Sequence, residues 1–111
     1  MDREREHWKV NVREAIALQQ ELRERVRLED DLGEVLTIAG IDTAFPKHGG
    51  EPVARCAVVV LSFPELHPVE QTTSVVPITF PYVPGLLAFR EGPAIEAALG
   101  QLAGLPDLLL F

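Results

Sequence analysis

The chain has 111 residues, of which 47% are hydrophobic and 24% are charged, and its formal net charge at pH 7 is −7. This length predicts one domain with a modest core, and this composition favours a globular protein over a disordered one. The longest apolar runs, such as 57–61 and 108–111, are too short to span a bilayer, and because the first thirty residues are dense in charge we expect no secretory signal there.

The first predicted element is a helix over Arg3–Leu28, where apolar residues recur at a spacing that suits one face of an amphipathic helix. Charges of both signs surround that face, so we expect a solvated helix that covers a sheet. Glu29, Asp30 and Asp31, followed by Gly33, mark its end. Because nothing in the sequence orients these three carboxylates, we interpret them as a solvated loop and not as a metal site.

Three strands are predicted next, over Val35–Phe45, Val53–Phe63 and Val69–Ile78, because these segments are apolar and rich in β-branched residues. Short turns at 47–50 and 64–68 join them, which predicts an antiparallel meander. The meander is therefore the predicted centre of the sheet.

The second of these strands contains Cys56, the only cysteine of the chain. A single cysteine cannot form an internal disulfide, and its apolar neighbours favour a buried structural thiol over a nucleophile. The cytoplasm is therefore the predicted compartment.

A proline loop, Pro81–Pro84, follows the third strand. Its prolines bracket Tyr82 and Val83, and proline both fixes its own φ and disfavours helix in the residue before it. We therefore expect a stiff, extended loop with an aromatic tip, a shape that can be pushed between stacked bases as a wedge.

The C-terminal part is predicted to contain helical segments over Leu86–Phe89 and Pro93–Leu102, with Pro93 in a first turn, and then a fourth strand that begins at Leu108–Phe111. The order helix-β-β-β-α-β is that of ribonuclease H-like folds. The predicted fold class is therefore α/β (α+β), with a mixed sheet made of a β-meander, a crossover helix and a strand parallel to the first. The predicted sheet is incomplete after that strand.

Two carboxylates are candidates for chemistry. Asp42 interrupts an apolar strand, where an ionised carboxylate is costly unless it is paired or binds a metal. Alternatively, it points to solvent and caps the following turn. Glu91 stands at the start of a predicted helix, where it either binds a metal or complements the helix dipole. The residues alone leave these alternatives open.

Three segments resemble the endonuclease V family: ALQQELRERV in the first helix, GIDTAF around Asp42 and PYVPGLLAFRE around Glu91. The similarity runs from about Ala15 to the end of the chain, in the family's order, and the last string is close to diagnostic. The resemblance implies a nuclease that uses Mg²⁺, with Mn²⁺ as a substitute. Such a nuclease cleaves DNA, and in some members RNA, on the 3′ side of inosine in the repair of deaminated adenine. Asp42 and Glu91 fall on two of the family's catalytic, metal-binding carboxylates, and such hard oxygen ligands suit Mg²⁺.

The same resemblance assigns the family's wedge to Pro81, Tyr82, Val83 and Pro84, with Tyr82 filling the space left by a flipped base. Gly85 and its neighbours are the implied wall of the base pocket, since glycine permits close approach of the backbone. The implied partner is inosine-containing nucleic acid, and no membrane is implied.

The chain also departs from the family. The family's fourth strand carries a further metal-binding aspartate in an Asp-Gly motif followed by histidine, and we expect that aspartate one or two residues beyond Phe111. His7, His48 and His67 match no family position, so we interpret them as surface or loop residues.

The charge distribution is unfavourable for nucleic-acid binding. Seven of the ten Lys and Arg residues lie within the first 27 positions, and nine acids lie between Asp2 and Asp31. The rest of the chain has three bases against eight acids. No basic patch tracks a phosphate backbone, so either metal ions carry that role or the basic surface lies outside this chain. Arg90 is expected to contact a phosphate or to form an ion pair with Glu91.

The alternative function is a catalytically inactive fragment that binds nucleic acid weakly or associates with another chain. Residues 1–111 are expected to be the N-terminal part of one endonuclease V domain. Two metal-binding carboxylates without the third hold a metal poorly, and an unpaired last strand invites association. We therefore expect negligible nuclease activity from residues 1–111 alone.

Overall fold

The computed structural model describes residues 8–46 and 50–111. Within those residues it contains two helices and four strands. Their bounds are α1 Val12–Arg23, β1 Thr37–Ala44, β2 Val53–Ser62, β3 Pro68–Pro77, α2 Ala88–Leu99 and β4 Leu108–Leu110. His7, His48 and most of the predicted turn at 47–50 lie outside the described residues.

The four strands form one sheet in the order β3-β2-β1-β4. β1 pairs antiparallel with β2, beginning with Thr37 opposite Ser62, and β2 pairs antiparallel with β3. After the α2 crossover, β4 returns beside β1 in the parallel direction, with Ile38 opposite Leu108. The predicted meander and the predicted parallel fourth strand are therefore confirmed.

One face of the sheet, here called the inner face, packs against α2. Its buried strand residues are Ala39, Ile41, Ala54, Cys56, Val58, Val60 and Val76. Ala94 and Ala98 of α2 have no exposed surface, so the helix backbone lies close to the strands. At this close approach the Ser74 hydroxyl donates a hydrogen bond of 2.6 Å to the Ala94 carbonyl, and the Thr72 hydroxyl donates one of 2.8 Å to the Ala98 carbonyl.

The opposite face, here called the outer face, is open. Strand residues alternate between faces, so the neighbours of the buried set lie here. Val59, Val75 and Leu110 on this face are 40%, 55% and 52% exposed. Neither described helix packs on it, because α2 lies on the inner face and α1 packs elsewhere.

α1 is shorter than predicted and does not cover the sheet. It begins at Val12 because Asn11 caps it: the Asn11 side chain accepts a hydrogen bond of 2.8 Å from the Glu14 N–H, and the Glu14 carboxylate accepts one of 3.0 Å from the Asn11 N–H. Its buried residue, Ala15, packs against Phe80 and Phe89. Residues 3–7 of the predicted helix lie outside the described residues. For the rest, the prediction of a helix that runs to residue 28 and covers a sheet was wrong, since α1 ends at Arg23 and covers the segment before α2 and the start of α2.

α2 is one continuous helix, whereas the sequence predicted two segments. It begins at Ala88, so Pro93 lies in its second turn and not in a first turn. Proline at an interior position lacks a hydrogen-bond donor and normally weakens a helix. The buried contacts of Ala94 and Ala98 hold the helix together here, because packing overrides local propensity. Neither helix in the described part of the chain has the length and apolar character needed to cross a membrane.

Asp107 fixes the start of β4 to the start of β1. Its Oδ2 accepts hydrogen bonds from the N–H groups of Leu36 and Thr37 at 2.8 and 3.1 Å, and its own N–H donates to the Thr37 hydroxyl at 3.2 Å. The two backbone hydrogen bonds hold the pKa of the Asp107 carboxyl below its ordinary value.

Candidate active site

The end of β1, the proline loop and the first turn of α2 lie next to one another. Arg90 in α2 contacts both Phe45, the residue after β1, and Tyr82 in the loop. These three elements carry every residue predicted to act. The residues are Asp42, Pro81, Tyr82, Val83, Pro84, Gly85 and Glu91.

Asp42 lies near the end of β1. It alternates with the buried Ile41, so its side chain belongs to the outer face, and it is exposed. Its Oδ1 accepts a hydrogen bond of 3.0 Å from the N–H of Thr43, and Oδ2 has no hydrogen bond to the described residues. The local bond fits the capping alternative, while the exposed second oxygen is accessible to a ligand.

Glu91 lies in the first turn of α2 and is half-buried. Its N–H donates to the Leu87 carbonyl at 3.1 Å, and its charge complements the positive end of the helix dipole. Within residues 8–46 and 50–111 its carboxylate has no hydrogen bond or ion pair. Dipole complementation and metal binding are compatible, because the dipole uses the charge of the carboxylate and leaves its oxygens accessible.

Burial and the two carboxylates all raise the pKa of the Cys56 thiol. It is fully buried, and this burial raises the pKa of the thiol; the negative charges of Glu91 and then Asp42 raise the pKa further. Both carboxylates therefore act electrostatically on the same point, Glu91 from the helix and Asp42 from the strand. The prediction that Cys56 is buried is confirmed.

The chemistry of the two carboxylates fits a hard divalent cation. Mg²⁺ binds through one or two carboxylates, while water and substrate phosphates complete its coordination. Across the described ranges, no three His, Cys, Asp or Glu side chains form a metal-binding group. Asp42 and Glu91 are therefore part of a metal site at most, and any remaining ligands come from water, from substrate or from another polypeptide segment.

The proline loop ends in a tight turn. The Leu86 N–H donates to the Val83 carbonyl at 3.0 Å, with Pro84 and Gly85 at the two central positions. Gly85 has a φ of 91°, which is the value that a type II turn requires at its second central residue and which favours glycine. The turn by itself explains this glycine, so its place in the wall of a base pocket stays a prediction.

Tyr82 is an exposed aromatic residue on an anchored loop. Its side chain is 77% exposed, whereas Phe80, two residues before it, is buried. The Phe80 ring packs against Phe89 of α2 with 5.3 Å between centroids, and Val83 packs against the same aromatic cluster. An exposed ring on a loop whose flanking residues are held in the aromatic cluster has the form that a wedge between bases requires.

Arg90 does not make the ion pair that was one of its two expected contacts. In the part of the chain that the structure describes, its guanidinium forms no ion pair with Glu91. Its Nη1 donates instead to the Phe80 carbonyl at 2.6 Å, and its Cζ lies 6.0 Å from the centroid of the Phe45 ring and 5.8 Å from that of Tyr82. A planar guanidinium stacks readily on aromatic rings, and Arg90 makes these contacts in place of the ion pair with Glu91. The sequence analysis missed Phe45 and Phe80, although Phe45 follows directly after β1.

The remaining candidates lie away from this site. His67 is exposed in the β2–β3 turn, at the end of β2 remote from Cys56, and its N–H donates to the Ser62 hydroxyl at 3.1 Å. The acidic segment 29–31 is exposed, and its Asp31 pairs with Arg27 at 3.4 Å. Both findings agree with the loop interpretations given above.

Fold and site together define a class: a mixed-sheet protein with two carboxylates beside an exposed aromatic loop, as in nucleases of the ribonuclease H-like type. The Endonuclease V family model matches residues 20–111. The Endonuclease V of Nostoc punctiforme is 44% identical over 108 residues, covering 96% of this chain and 48% of that protein. The chain therefore belongs to the Endonuclease V family, and it spans about half the length of the curated relatives it matches.

Solved structures support the same conclusion. The Endonuclease V of Bacillus subtilis is similar with a TM-score of 0.83 and 32% identity, covering 94% of this chain and 45% of that one. The Endonuclease V of Ciona intestinalis, in complex with a 24mer DNA containing an inosine followed by a ribo-adenosine, is similar with a TM-score of 0.67 and 33% identity. That match covers 80% of this chain and 38% of the Ciona chain. The predicted ribonuclease H-like fold class and the predicted family are confirmed.

Proposed function

We propose that residues 1–111 are the N-terminal part of one Endonuclease V domain that cleaves DNA on the 3′ side of inosine, in the cytoplasm, during repair of deaminated adenine. The observation that carries the proposal is the exposed Tyr82 on an anchored loop, beside the helix turn that bears Glu91, in a chain of this family. The Ciona relative bound to inosine-containing DNA supports the substrate class. Inosine-containing RNA is a second substrate to be tested in the same way.

Asp42 and Glu91 would hold Mg²⁺, or Mn²⁺ in its place. When bound, such an ion supplies charge neutralisation at the scissile phosphate and a reactive water. The chain contributes two carboxylates on regular elements, one near the end of β1 and one on the first turn of α2. The exposed Asp42 oxygen supports access for a ligand.

The loop would separate the target base from its neighbours. Tyr82 would enter the base stack, and Pro81 and Pro84 would limit the freedom of the loop while it does so. Extruding a base costs about a few kcal/mol, and least where pairing is already weak, so a weakly paired inosine is favoured. Main-chain groups at Gly85 and its neighbours would form the wall that holds the extruded base.

A chimera tests the proposed function. Residues 1–111 are joined to the part of the Nostoc punctiforme relative that lies beyond the matched region, and folding is verified by circular dichroism. We expect the folded chimera with Mg²⁺ to cleave an oligonucleotide that contains one inosine, on its 3′ side. The matched oligonucleotide with adenine at that position should stay intact. A folded chimera that cuts neither oligonucleotide, or both equally, would contradict the proposal.

A second candidate is an inactive fragment that associates with another chain or binds nucleic acid weakly. The open outer face favours association, because Val59, Val75 and Leu110 expose apolar surface there and β4 is a three-residue edge strand. The isolated chain with Mg²⁺ is expected to show negligible cleavage of the inosine oligonucleotide. Robust turnover by residues 1–111 alone would exclude this candidate.

A further inference from the structure

The Arg90 side chain joins the three elements of the candidate site. We propose that Arg90 is a positioning residue. Its guanidinium, together with Phe45, Tyr82 and the Phe80 carbonyl, forms an Arg90 clamp that fixes the position of the proline loop relative to β1 and α2. The consequence for nucleic acid rests on the proposed function. The clamp itself is a property of the folded chain.

Three contacts of one group carry the inference. Arg90 Nη1 donates a hydrogen bond of 2.6 Å to the Phe80 carbonyl, which fixes the guanidinium against the base of the loop. The Arg90 Cζ lies 5.8 Å from the Tyr82 ring centroid and 6.0 Å from the Phe45 ring centroid. Both distances are within the range at which a cation over an aromatic face is attracted.

The guanidinium contacts lie close in sequence to both candidate carboxylates and to the tip of the proline loop. Phe45 is the first residue after β1 and lies three residues beyond Asp42, while Arg90 directly precedes Glu91 in the first part of α2. Tyr82 is the exposed tip of the loop. A shift of the loop relative to either carboxylate would therefore break a contact of the guanidinium.

Arginine suits this role better than lysine. The guanidinium is planar and presents several N–H donors in a fixed geometry, so one group can stack on rings and hydrogen-bond a carbonyl at the same time. A lysine ammonium is a compact, strongly hydrated point charge on a flexible stem. It would keep the charge of residue 90 and lose the combined geometry.

The phosphate contact expected of Arg90 is a competing role with a different signature. A lost phosphate contact weakens binding about equally for all sequences and reduces its salt dependence. A lost positioning contact leaves binding of an undamaged strand unchanged and removes the preference for the target base. Selectivity and salt dependence therefore separate the two roles.

The clamp is tested in the full 111-residue chain, because Tyr82 is its only tyrosine. Incorporation of 3-fluorotyrosine gives a single ¹⁹F resonance that reports the surroundings of Tyr82. We expect Arg90→Gln and Arg90→Lys to move this resonance towards its value in the urea-unfolded chain. Phe45→Leu should also move it, and should cause no further shift once Arg90→Gln is present, because the guanidinium carries the coupling. Phe63→Leu, at an exposed phenylalanine in the turn between β2 and β3, is the matched control and should leave it unchanged.

Circular dichroism of each variant verifies that the sheet stays folded. The clamp is overturned if Arg90→Gln and Arg90→Lys shift the ¹⁹F resonance no more than Phe63→Leu does. It is also overturned if Phe45→Leu shifts the resonance equally in the native and the Arg90→Gln backgrounds. This arm contains no nucleic acid, so it is independent of the proposed function.

A second arm uses the chimera and measures its binding of inosine and adenine oligonucleotides by fluorescence anisotropy, in the presence of Mg²⁺ and at several salt concentrations. We expect Arg90→Gln to remove the inosine preference of the chimera and to leave the affinity for the adenine oligonucleotide and its salt slope unchanged. A uniform loss with a smaller slope would assign Arg90 to a phosphate and overturn its positioning role. If Arg90→Gln shifts the ¹⁹F resonance but the unmodified chimera shows no inosine preference, the proposed function is contradicted and the clamp stands.

Discussion

The molecule has two buried clusters that are built from different residues. The sheet core lies between the inner face and α2, and its buried residues are small aliphatic side chains and one thiol, such as Ala39, Val58 and Cys56. The aromatic cluster lies between α1, the proline loop and the start of α2, and it contains Phe80, Phe89 and the half-buried Trp8. The first cluster joins regular elements through their backbones, and the second joins a loop and two helix ends through large rings.

The difference between these clusters corresponds to two tasks. Small residues in the sheet core let α2 approach the strands closely, which fixes the topology. Rings in the aromatic cluster hold a loop that has no hydrogen-bonded ladder of its own, with 5.3 Å between the Phe80 and Phe89 centroids and 5.9 Å between those of Trp8 and Phe89. The sheet core therefore determines the fold, while the aromatic cluster determines where Tyr82 and Glu91 lie on it.

Truncation of Phe89 should loosen the aromatic cluster most strongly. Its ring is 5% exposed and contacts two other rings, so Phe89→Ala should lower the free energy of unfolding by about 3–5 kcal/mol. Urea denaturation can be followed by the fluorescence of Trp8, the only tryptophan, and by circular dichroism. We expect the fluorescence transition to move to lower urea further than the dichroism transition. Coincident fluorescence and dichroism transitions would contradict this expectation and mean that the two clusters unfold as one unit. Phe63→Ala, at an exposed phenylalanine, is the control.

Substitution of Gly92 tests the contact between Trp8 and α2. A Cβ at this position would collide with the Trp8 ring, so Gly92→Ala forces the indole away from the helix. Such overpacking should cost about 1–3 kcal/mol and shift the Trp8 emission to longer wavelength. Gly40→Ala on the outer face is the control, because nothing lies within 4 Å of its Cβ position. An unchanged emission spectrum in Gly92→Ala would contradict the close packing of Trp8.

Acid titration tests a contact that belongs to the sheet alone. The pKa of Asp107 is lowered in the folded chain, so its stabilisation is present above the ordinary carboxyl pKa of 3.8 and is lost as the pH falls through the lower folded value. The free energy of unfolding, measured by urea denaturation over this acidic range, should decrease less in Asp107→Asn than in the native chain. Asp30→Asn, in the exposed loop, should keep the native pH dependence. Equal pH dependence in native and Asp107→Asn chains would rule out this contribution.

The sheet core was largely predictable from the sequence. The strands β1, β2 and β3 are apolar runs separated by turn residues, and the strand bounds differ from prediction by at most two residues at either end. The parallel placement of β4 followed from the crossover helix, because a strand that returns through a helix pairs in the same direction. These features depend on local patterns and on general rules of chain connection.

The aromatic cluster was less predictable, because its contacts join distant parts of the chain. The position of α1 depends on Ala15 meeting Phe80 and Phe89, and no periodicity within 3–28 encodes those partners. The continuity of α2 through Pro93 depends on burial against the sheet. The contacts of Arg90 depend on the relative placement of three elements. The sequence analysis therefore suggested a phosphate or Glu91 as the partner of Arg90 and did not identify the Phe45 and Tyr82 rings.

The most direct test of the proposed metal site compares Asp42→Asn and Glu91→Gln in the chimera that cleaves inosine-containing DNA. Cleavage with Mg²⁺ should fall by at least about 100-fold in each variant, since loss of even an outer partner of a metal ligand costs about 10- to 100-fold. Asp30→Asn and Glu65→Gln, at exposed carboxylates away from the site, should cleave like the unmodified chimera. Full cleavage by a folded Asp42→Asn or Glu91→Gln chimera would contradict the proposed metal site.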